Sequence, residues 1–413
     1  MTQLAANPLD AIIGQWHGRP VVGVIDLDVL AANIATLRGL IGPDTRLMAV
    51  VKANAYGHGA IPVARAALAS GADELAVATV DEAAQLRGAD ITAPILVLGA
   101  IGRVERARAV GLDLALVVAD ASFAHALAAD VKMQGRKEEN PVPVHLKIDT
   151  GMHRFGATPE SALGVAQAIT SHLELRLAAV MTHLAASDSS DPTFVIEQAA
   201  RFDRCIASLR NAGIEIPAQH IANSAATLRF PEIHRDLVRI GIAMYGLRPD
   251  PAMPLPETMR PIMTIHGRVT RVIDLNEGDT VGYGRTYRAP SSGRAALVPI
   301  GYADGYRRAL SSRGWMAVDG ERAPILGRVS MDQTVIGLPE ALVGEPGAPV
   351  TIVGDGSPSS AGAPTLDELA ELVDTISYEM ATGLAQRVPK LYIRDGAVVD
   401  VCDLHGARAL GEP

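Results

Sequence analysis

Polar side chains follow five of the eight short apolar runs in the first 245 residues, at the points where those runs end. The residues at these ends are Lys52; Lys147, Asp149 and Arg154; Thr182 and His183; Asn223 and Ser224; and Arg239 with Gly241. A lysine placed against apolar surface loses hydration, which lowers its pKa and makes the neutral amine available as a nucleophile or base. These residue types therefore suit chemistry at an amine, with cations and backbone groups close by to hold an anion.

Lys52 stands in the segment AVVKANAYGHG (49–59), where an apolar run meets a turn-forming sequence. A single lysine at a strand end more often extends its stem along the surface and keeps its charge in solvent. That interpretation leaves Tyr56 and the two glycines, Gly57 and Gly59, unexplained. Glycines at this point would let the backbone press against a ligand. We therefore favour a reactive lysine.

The segments HIANSAAT (220–227) and RIGIAMYG (239–246) are candidates for an anion-binding cradle. Asn223 and Ser224 begin a helix-like stretch, and Gly241 offers an unobstructed backbone. An isolated Asn-Ser pair is also an ordinary helix N-cap, and its place after the seventh run favours the anion. A Schiff-base lysine with a phosphate cradle indicates either pyridoxal phosphate or a sugar-phosphate aldolase.

Arg239 discriminates between these two. A guanidinium beside a pyridine nitrogen opposes protonation of the ring, and such a cofactor is a weaker electron sink, suited to moving one proton. His183 could orient Arg239, although a histidine after an apolar run is more often structural.

The runs that carry these residues alternate with Ala-rich segments of helical pattern, such as 60–71, 80–88 and 194–213. Near-continuous apolar strands separated by helices indicate a parallel sheet covered on both faces. Eight such units predict a (β/α)8 barrel of the TIM type. An open doubly wound sheet is the alternative, but no Gly-x-Gly-x-x-Gly follows the first run. The eight runs are 47–52, 74–79, 94–99, 114–119, 143–148, 177–183, 218–223 and 236–241.

Beyond the barrel, the Pro-rich stretch 247–261 is typical of a linker, and alternating short strands then predict a C-terminal β-rich domain. Thr365 and Glu368 form a capping box for a helix over 365–376. The helix predicted over 194–213 ends at Gly213. We expect an N-terminal extension (1–20), the barrel (21–250) and the β domain (251–413). The apolar stripe predicted for the 194–213 helix comprises Phe194, Ile196, Phe202, Cys205, Ile206 and Leu209.

Composition narrows the class of protein. The chain has 413 residues, 48% hydrophobic and 20% charged, which is typical of a folded soluble protein. A net charge of −9 argues against nucleic-acid or anionic-membrane partners. Two distant cysteines, no metal-ligand spacing, no signal peptide and no membrane-length apolar stretch indicate a cytoplasmic protein without a metal site.

Several segments together resemble the alanine racemases, the fold-type III pyridoxal-phosphate enzymes. The resemblance runs from about residue 20 to residue 400, with the motifs in the expected order. AVVKANAYGHG is nearly diagnostic of the family, and VSMDQ adds weight from the second domain. The resembling motifs are AVVKANAYGHG, LKIDTGMHRFG, HIANSAAT, VRIGIAMYGL, VGYGRTY, PIGYADGYRR, GRVSMDQ and RVPK.

The resemblance implies an obligate homodimer in which each active site takes residues from both subunits. Lys52 would hold pyridoxal phosphate covalently and act as the base for D-alanine. Tyr283, from the partner subunit, would act as the base for L-alanine on the opposite face. Arg154 and the Met331 backbone N–H would bind the substrate carboxylate.

The same resemblance assigns supporting roles. Lys147 matches a lysine that is carbamylated in many members, and Tyr302 would narrow the entrance. Arg239 would face the pyridine nitrogen with His183 in support. The residues expected around the phosphate are Tyr56, Ser224, Gly241, Ile242 and Tyr378, beside the Asn223 of the cradle.

The expected function is pyridoxal-phosphate-dependent interconversion of L- and D-alanine, supplying D-alanine for peptidoglycan. A racemase of another small amino acid such as serine, and a catabolic alanine racemase, stay open. A related decarboxylase is disfavoured by Arg239, since those enzymes resemble one another in placing a glutamate at the ring nitrogen. A non-catalytic cofactor-binding barrel would lack the second domain.

Overall fold

The computed structural model describes residues 18–136, 139–339, 345–404 and 406–408, and the chain divides into two compact units. The barrel unit comprises Asn33–Ala55 and Val63–Met244. The β unit comprises the described residues of 18–32, 56–62 and 245–408. The extension predicted over 1–20 lies almost entirely outside the described residues.

The β unit takes in the first strand, β1 (Val21–Asp26), which pairs with β10 (Met263–Arg268) and β19 (Lys390–Arg394). These strands belong to an eight-stranded sheet in the order β16-β15-β18-β10-β1-β19-β20-β21, beside smaller sheets β11-β14-β17 and β12-β13. The remaining strands of this unit are β11 (Arg271–Leu275), β12 (Thr280–Val281), β13 (Tyr287–Arg288), β14 (Gly293–Val298), β15 (Trp315–Val318), β16 (Glu321–Pro324), β17 (Thr334–Leu338), β18 (Pro349–Val353), β20 (Ala397–Asp403) and β21 (Gly406–Arg408).

The barrel unit contains a parallel sheet of eight strands in the order β8-β7-β6-β5-β4-β3-β2-β9, one for each predicted run. Backbone hydrogen bonds between the segments that carry β8 and β9 close this sheet into a barrel. The Asp236 N–H donates to the Gln219 carbonyl (3.1 Å) and the Arg239 N–H to the Ala222 carbonyl (3.0 Å). The predicted barrel and β-rich domain are thus confirmed, and the open sheet is excluded. The strands are β2 (Arg46–Val50), β3 (Glu74–Val77), β4 (Ile95–Val97), β5 (Ala115–Val118), β6 (Val142–Lys147), β7 (Leu175–Met181), β8 (Gln219–His220) and β9 (Leu237–Ile240).

Helices follow the barrel strands as the sequence pattern requires. In the β unit, Thr365 and Glu368 form the predicted capping box, but that helix ends at Leu372, not at residue 376. The helices are α1 (Leu27–Leu40), α2 (Ala60–Ala69), α3 (Val80–Gly88), α4 (Arg103–Gly111), α5 (Ala121–Met133), α6 (Ala162–Thr170), α7 (Thr193–Asn211), α8 (Ser224–Arg229), α9 (Leu366–Leu372) and α10 (Ser377–Thr382).

The apolar stripe predicted for α7 is wrong at one position. Ile196 is 59% exposed, and Val195 is buried in its place. Gln198, which the sequence pattern assigned to no face, is also fully buried. The helix ends where the sequence predicted, because Gly213 adopts a left-handed φ of 82° just beyond its last residue.

A left-handed turn follows the reactive lysine. Ala53, Asn54, Ala55 and Tyr56 all have φ near +52°, a conformation that costs L-residues other than glycine about 1–2 kcal/mol each. The Glu82 carboxylate accepts the Ala53 N–H (2.6 Å) and also caps α3. One acidic side chain therefore fixes the backbone beside Lys52.

Replacing Ala53 with glycine should stabilise the protein, because Ala53 is exposed and the change relieves a left-handed alanine. We expect the free energy of unfolding to rise by roughly 0.5–1 kcal/mol. The matched control is Ala207→Gly, on the exposed face of the right-handed helix α7, which should lower it by about 1 kcal/mol. Urea denaturation of both variants measures the difference. Equal destabilisation by the two changes would contradict the left-handed turn.

Candidate active site

Lys52 lies directly after β2, at the carboxyl end of the barrel strands, and its side chain is half-buried. Burial and then the positive charge of Arg154 lower the pKa of Lys52, while the Glu82 carboxylate acts in the opposite direction. A lysine in these surroundings holds a larger share of neutral amine at physiological pH than one in water. The structure thus gives Lys52 the property that the sequence predicted.

A second amine belongs to the same group of charges. Lys147 ends β6, is only 7% exposed, and lies 5.0 Å from the centre of the Phe155 ring. Burial, followed by the charges of Arg154 and Arg239, lowers the pKa of Lys147 to about 8. Lys147 is therefore a second side chain that can supply a neutral amine.

Asp149 supplies negative charge beside these cations. Burial works to raise the pKa of its carboxyl, but the backbone N–H groups of Gly151 (2.9 Å) and His153 (3.1 Å) bind it, and the pKa is lowered. Asp149 is thus ionised and shapes the loop that carries Arg154, whose side chain is exposed.

Arg239 is buried in the barrel and is held by its two terminal nitrogens. They contact His220 Nδ1 (2.8 Å) and His183 Nδ1 (3.2 Å), and they donate to the carbonyls of Thr182 (2.9 Å) and Ile221 (3.0 Å). Burial lowers the pKa of Arg239 to about 10, so the guanidinium stays charged at neutral pH. Its Nε–H has no acceptor among the described residues.

His183 is arranged around this cation as an acceptor. Burial, followed by the charge of Arg239, lowers the pKa of His183 well below its usual value, so the ring is neutral. Because an arginine can only donate, His183 accepts at Nδ1 and carries its proton at Nε2. The predicted contact between these two side chains is present.

Ser224 has an uncommitted donor. Its Oγ accepts the backbone N–H of Gly241 (2.9 Å) and of Ala243 (3.4 Å), which occupies both lone pairs. The hydroxyl proton has no acceptor among the residues that the structure describes. Asn223, by contrast, uses its side-chain oxygen to cap α8 through the Ala226 N–H (3.0 Å).

These two unsatisfied donors fit pyridoxal phosphate. Ser224 is only 5% exposed, and its hydroxyl can donate a hydrogen bond to a phosphate oxygen. The Arg239 Nε–H can donate to an unprotonated pyridine nitrogen. Both lie in the barrel unit with Lys52. Among the described residues, no three His, Cys, Asp or Glu side chains gather as a metal site.

In the β unit, Tyr56 and Tyr378 have ring centres 5.9 Å apart. Burial raises the pKa of Tyr56, so its phenol keeps its proton. The neighbouring glycines serve packing against protein, which corrects the expectation that they approach a ligand. A Cβ on Gly57 would lie 2.1 Å from the Ala381 carbonyl oxygen, and one on Gly59 would lie 1.8 Å from the Tyr392 hydroxyl.

Three further predicted residues of the β unit are exposed in the single chain. Tyr283 is 72% exposed between Gly282 and Gly284, both at left-handed φ, while Tyr302 is 41% and Met331 52% exposed. This exposure leaves all three side chains accessible to a second molecule.

Gln198 is a fully buried polar residue of α7 whose contacts beside the site the sequence pattern did not predict. Its amide donates to Thr150 Oγ1 (3.0 Å) and to the His183 carbonyl (3.2 Å), and it accepts the Ala185 N–H (2.8 Å). It thereby joins the loop after β6 to the loop after β7. A polar residue at a position of the apolar α7 stripe was the available signal.

A parallel barrel with a partly desolvated lysine at its strand ends, in one chain with a β-rich unit, defines a two-domain protein of the (β/α)8-barrel class. Comparison with known proteins makes this specific. The family model "Alanine racemase, N-terminal domain" matches residues 25–249, and "Alanine racemase, C-terminal domain" matches residues 262–392.

Two curated relatives and one solved structure agree with these matches. The chain is 40% identical to an alanine racemase of Nostoc sp. over 91% of its own length and 96% of that protein. It is 39% identical to alanine racemase 2 of Bacillus subtilis, covering 91% and 95% of the two chains. The crystal structure of alanine racemase from Bacillus anthracis with bound L-Ala-P superposes with a TM-score of 0.85 at 37% identity, covering 94% and 98%. The chain belongs to the alanine racemase family.

Removing the Gln198 amide should loosen the site. Gln198→Ala removes a fully buried amide that bonds to Thr150 Oγ1, the His183 carbonyl and the Ala185 N–H, so we expect the free energy of unfolding to fall by about 2–4 kcal/mol. Gln167→Ala, on the exposed face of α6, is the control and should change it by less than about 0.5 kcal/mol. Denaturant unfolding followed by circular dichroism measures both. A Gln198 variant as stable as the control would show that the amide does not tie the two loops.

Proposed function

We propose that this chain interconverts L- and D-alanine with pyridoxal phosphate as cofactor. The observation that carries the proposal is the buried Arg239, whose Nε–H is left uncommitted among the described residues. A guanidinium there keeps a ring nitrogen unprotonated and the electron sink weak. That favours proton transfer at Cα over decarboxylation. Family membership supports alanine as the substrate.

The chain's own residues would hold the cofactor as follows. The Lys52 amine would bind it covalently, supported by the lowered pKa of Lys52. The Ser224 hydroxyl and the backbone at Gly241 and Ile242 would bind the phosphate, with the phenols of Tyr56 and Tyr378; the Gly241 N–H already donates to Ser224 Oγ and would act by orienting that hydroxyl. When bound, pyridoxal phosphate withdraws electrons from Cα and so acidifies its proton.

Two bases would then act on the Cα proton from opposite faces. The Lys52 Nζ would take the proton of D-alanine, and the Tyr283 hydroxyl of the partner subunit that of L-alanine. The Arg154 guanidinium would hold the substrate carboxylate, with the Met331 backbone N–H, and its charge would lower the pKa of a phenol placed beside it. Tyr302 would restrict the entrance to small substrates.

Lys147 would carry a carbamate. A carbamate forms when the nitrogen of a neutral amine bonds to the carbon of CO2 and the amine releases one proton, and a pKa of about 8 leaves a substantial neutral share at physiological pH. The added negative charge would lie among the cations that depress this pKa, Arg154 and Arg239, and would orient the arginine. Protonation below about pH 8 would work against the modification.

A shared dimeric site is supported by the exposure of Tyr283, Tyr302 and Met331 in the single chain. Supply of D-alanine for peptidoglycan and a cytoplasmic location stay predictions from the family and the composition. No helix in the described part of the chain has both the length and the hydrophobicity to cross a bilayer. A preference for serine over alanine would appear in a substrate panel with chiral detection.

Changing Lys52 to alanine should abolish the visible absorbance that a lysine-bound pyridoxal phosphate gives, because the covalent attachment is lost. Lys132→Ala is the control: Lys132 is a surface lysine of α5, paired with Glu174 (3.1 Å). The spectrum of each purified protein, with cofactor supplied during expression, provides the measurement. Wild-type absorbance in the Lys52 variant would refute this attachment point.

Mixing chains tests the shared site. Lys52→Ala and Tyr283→Phe homodimers should each be inactive, because each lacks one base in both sites. After subunit exchange, half of the dimers are mixed and each carries one intact site, so activity should recover to about a quarter of wild type. Racemisation of L-alanine followed by chiral chromatography provides the readout. No recovery after verified exchange would place both bases in one chain.

A further inference from the structure

A cavity lies at the opposite end of the barrel from Lys52. It has a volume of about 610 Å³ and is bordered by residues at or near the amino-terminal ends of the strands. Because the strands are parallel, these residues are separated from the lysine by the length of the barrel. The residues that matter here are Arg46, Glu74, Asp113, Glu139, His145 and Arg176.

His145 is a buried polar side chain in the wall of this cavity. It is 5% exposed and lies on β6, two residues before Lys147 and on the same face of the strand. Its Nδ1 is 2.9 Å from Nε2 of the fully buried His220. Nδ1 of His220 is in turn 2.8 Å from a terminal nitrogen of Arg239. A chain of three side chains thus connects the cavity to the arginine of the active site.

Elementary chemistry fixes the direction of this chain. Arg239 can only donate, so His220 accepts at Nδ1 and carries its proton at Nε2. His220 therefore donates to Nδ1 of His145, and His145 carries its proton at Nε2. That N–H has no acceptor among the described residues. The cavity wall consequently presents an uncommitted donor from a nine-tenths buried ring.

The charges around this donor favour an anion. Arg46, Arg239 and Arg176 each disfavour positive charge on His145. Arg46 is already paired with Glu74, whereas Arg176 has no ion pair among the described residues. Arg176 therefore has a guanidinium available in the cavity wall.

Two other carboxylates limit the size and charge of that anion. Asp113 is paired with Arg136 (2.6 Å), while Glu139 contributes an opposing charge to the lining. The negative charge of Glu139 disfavours a polyanion in this cavity. It does not disfavour one small anion beside His145.

We propose that this cavity binds a small oxyanion between the His145 Nε2–H and the Arg176 guanidinium, and that its occupancy is felt at Arg239 through His220. When the anion accepts a hydrogen bond from the His145 Nε2–H, Nδ1 of the same ring becomes a stronger acceptor. The effect passes through His220 to its hydrogen bond with Arg239. The guanidinium charge then opposes protonation of its other neighbours less strongly. Binding needs only the described residues; the consequence for a ring nitrogen rests on the proposed function.

Side-chain ¹⁵N NMR of histidine-labelled holoenzyme tests the site. Without added anion, His145 and His220 should both show the Nε2–H tautomer. Titration with acetate, and separately with inorganic phosphate, should shift both rings along a saturating curve in the millimolar range. The better of the two probes identifies the oxyanion as a carboxylate or a phosphate. Anion capture near Arg154 would shift His183 and leave His145 unchanged, so the His145 signal reports the cavity alone.

Variants decide between a built site and non-specific binding. Arg176→Gln should weaken the anion at least about tenfold, since a charge-assisted contact is lost. Arg210→Gln, an exposed position on α7, should change nothing. An Nδ1–H tautomer of His145, a linear response that marks an adventitious ion only, or an affinity indifferent to Arg176→Gln would each overturn the proposal.

The Lys52→Ala variant separates this inference from the proposed function. Saturable shifts of His145 should persist there, because the anion site needs no cofactor. Racemase activity in wild type without these shifts would defeat the anion site alone. The shifts without racemase activity would defeat the proposed function alone.

Discussion

Four cations share the partly desolvated mouth of the barrel, and the chemistry follows from that crowding. Arginine side chains stay protonated at neutral pH. The crowding of positive charge therefore favours loss of a proton from the two lysines instead. The pKa of Lys52 and that of Lys147 are both lowered, with burial the largest cause in each and an arginine the next. Asp149 offsets part of the charge, but the backbone N–H groups that bind it keep it at the loop. The barrel thus enlarges the neutral share of both amines without any special base nearby.

Such crowding must be held together by hydrogen bonds to groups other than the four cations. Gln198 ties the loops after β6 and β7, and the hydroxyls of Thr150 and Thr182 meet at 2.8 Å beneath it. On the other side of the lysine, Glu82 holds the left-handed turn and caps α3 with the same carboxylate. These ties are buried or pinned to backbone, so they keep cations close that would separate in water. Geometry at the barrel mouth is therefore maintained by hydrogen bonds more than by ion pairs.

The eight barrel strands were predictable because a buried parallel strand has a plain sequence signature, a short apolar run between helical segments. The chemical residues at their carboxyl ends followed from topology. Three features had no such signature. The left-handed turn lies in Ala-rich sequence that local preference would make right-handed, and tertiary contacts through Glu82 overrule it. Polarity alone would bury Ile196 and expose Gln198. The structure does the reverse, because the buried Gln198 amide bonds to three groups of the loops. The chain from His145 to Arg239 depends on three strands at once, which no local pattern reveals.

The electrostatics around Arg239 exclude a simple alternative in which its histidines share the charge. His183 and His220 both have a lowered pKa, caused first by burial and then by Arg239 itself. A proton on either ring would remove the acceptor that fixes the guanidinium plane and would place two cations in contact. The arrangement therefore works in one charge state only, a single arginine cation surrounded by neutral acceptors. A carboxylate in place of Arg239 would find two imidazole nitrogens and three carbonyls that all present lone pairs to it. The pocket around Arg239 is therefore built for a hydrogen-bond donor. Under the proposed function, such a donor suits an unprotonated pyridine nitrogen, whereas a strong electron sink would need a protonated one.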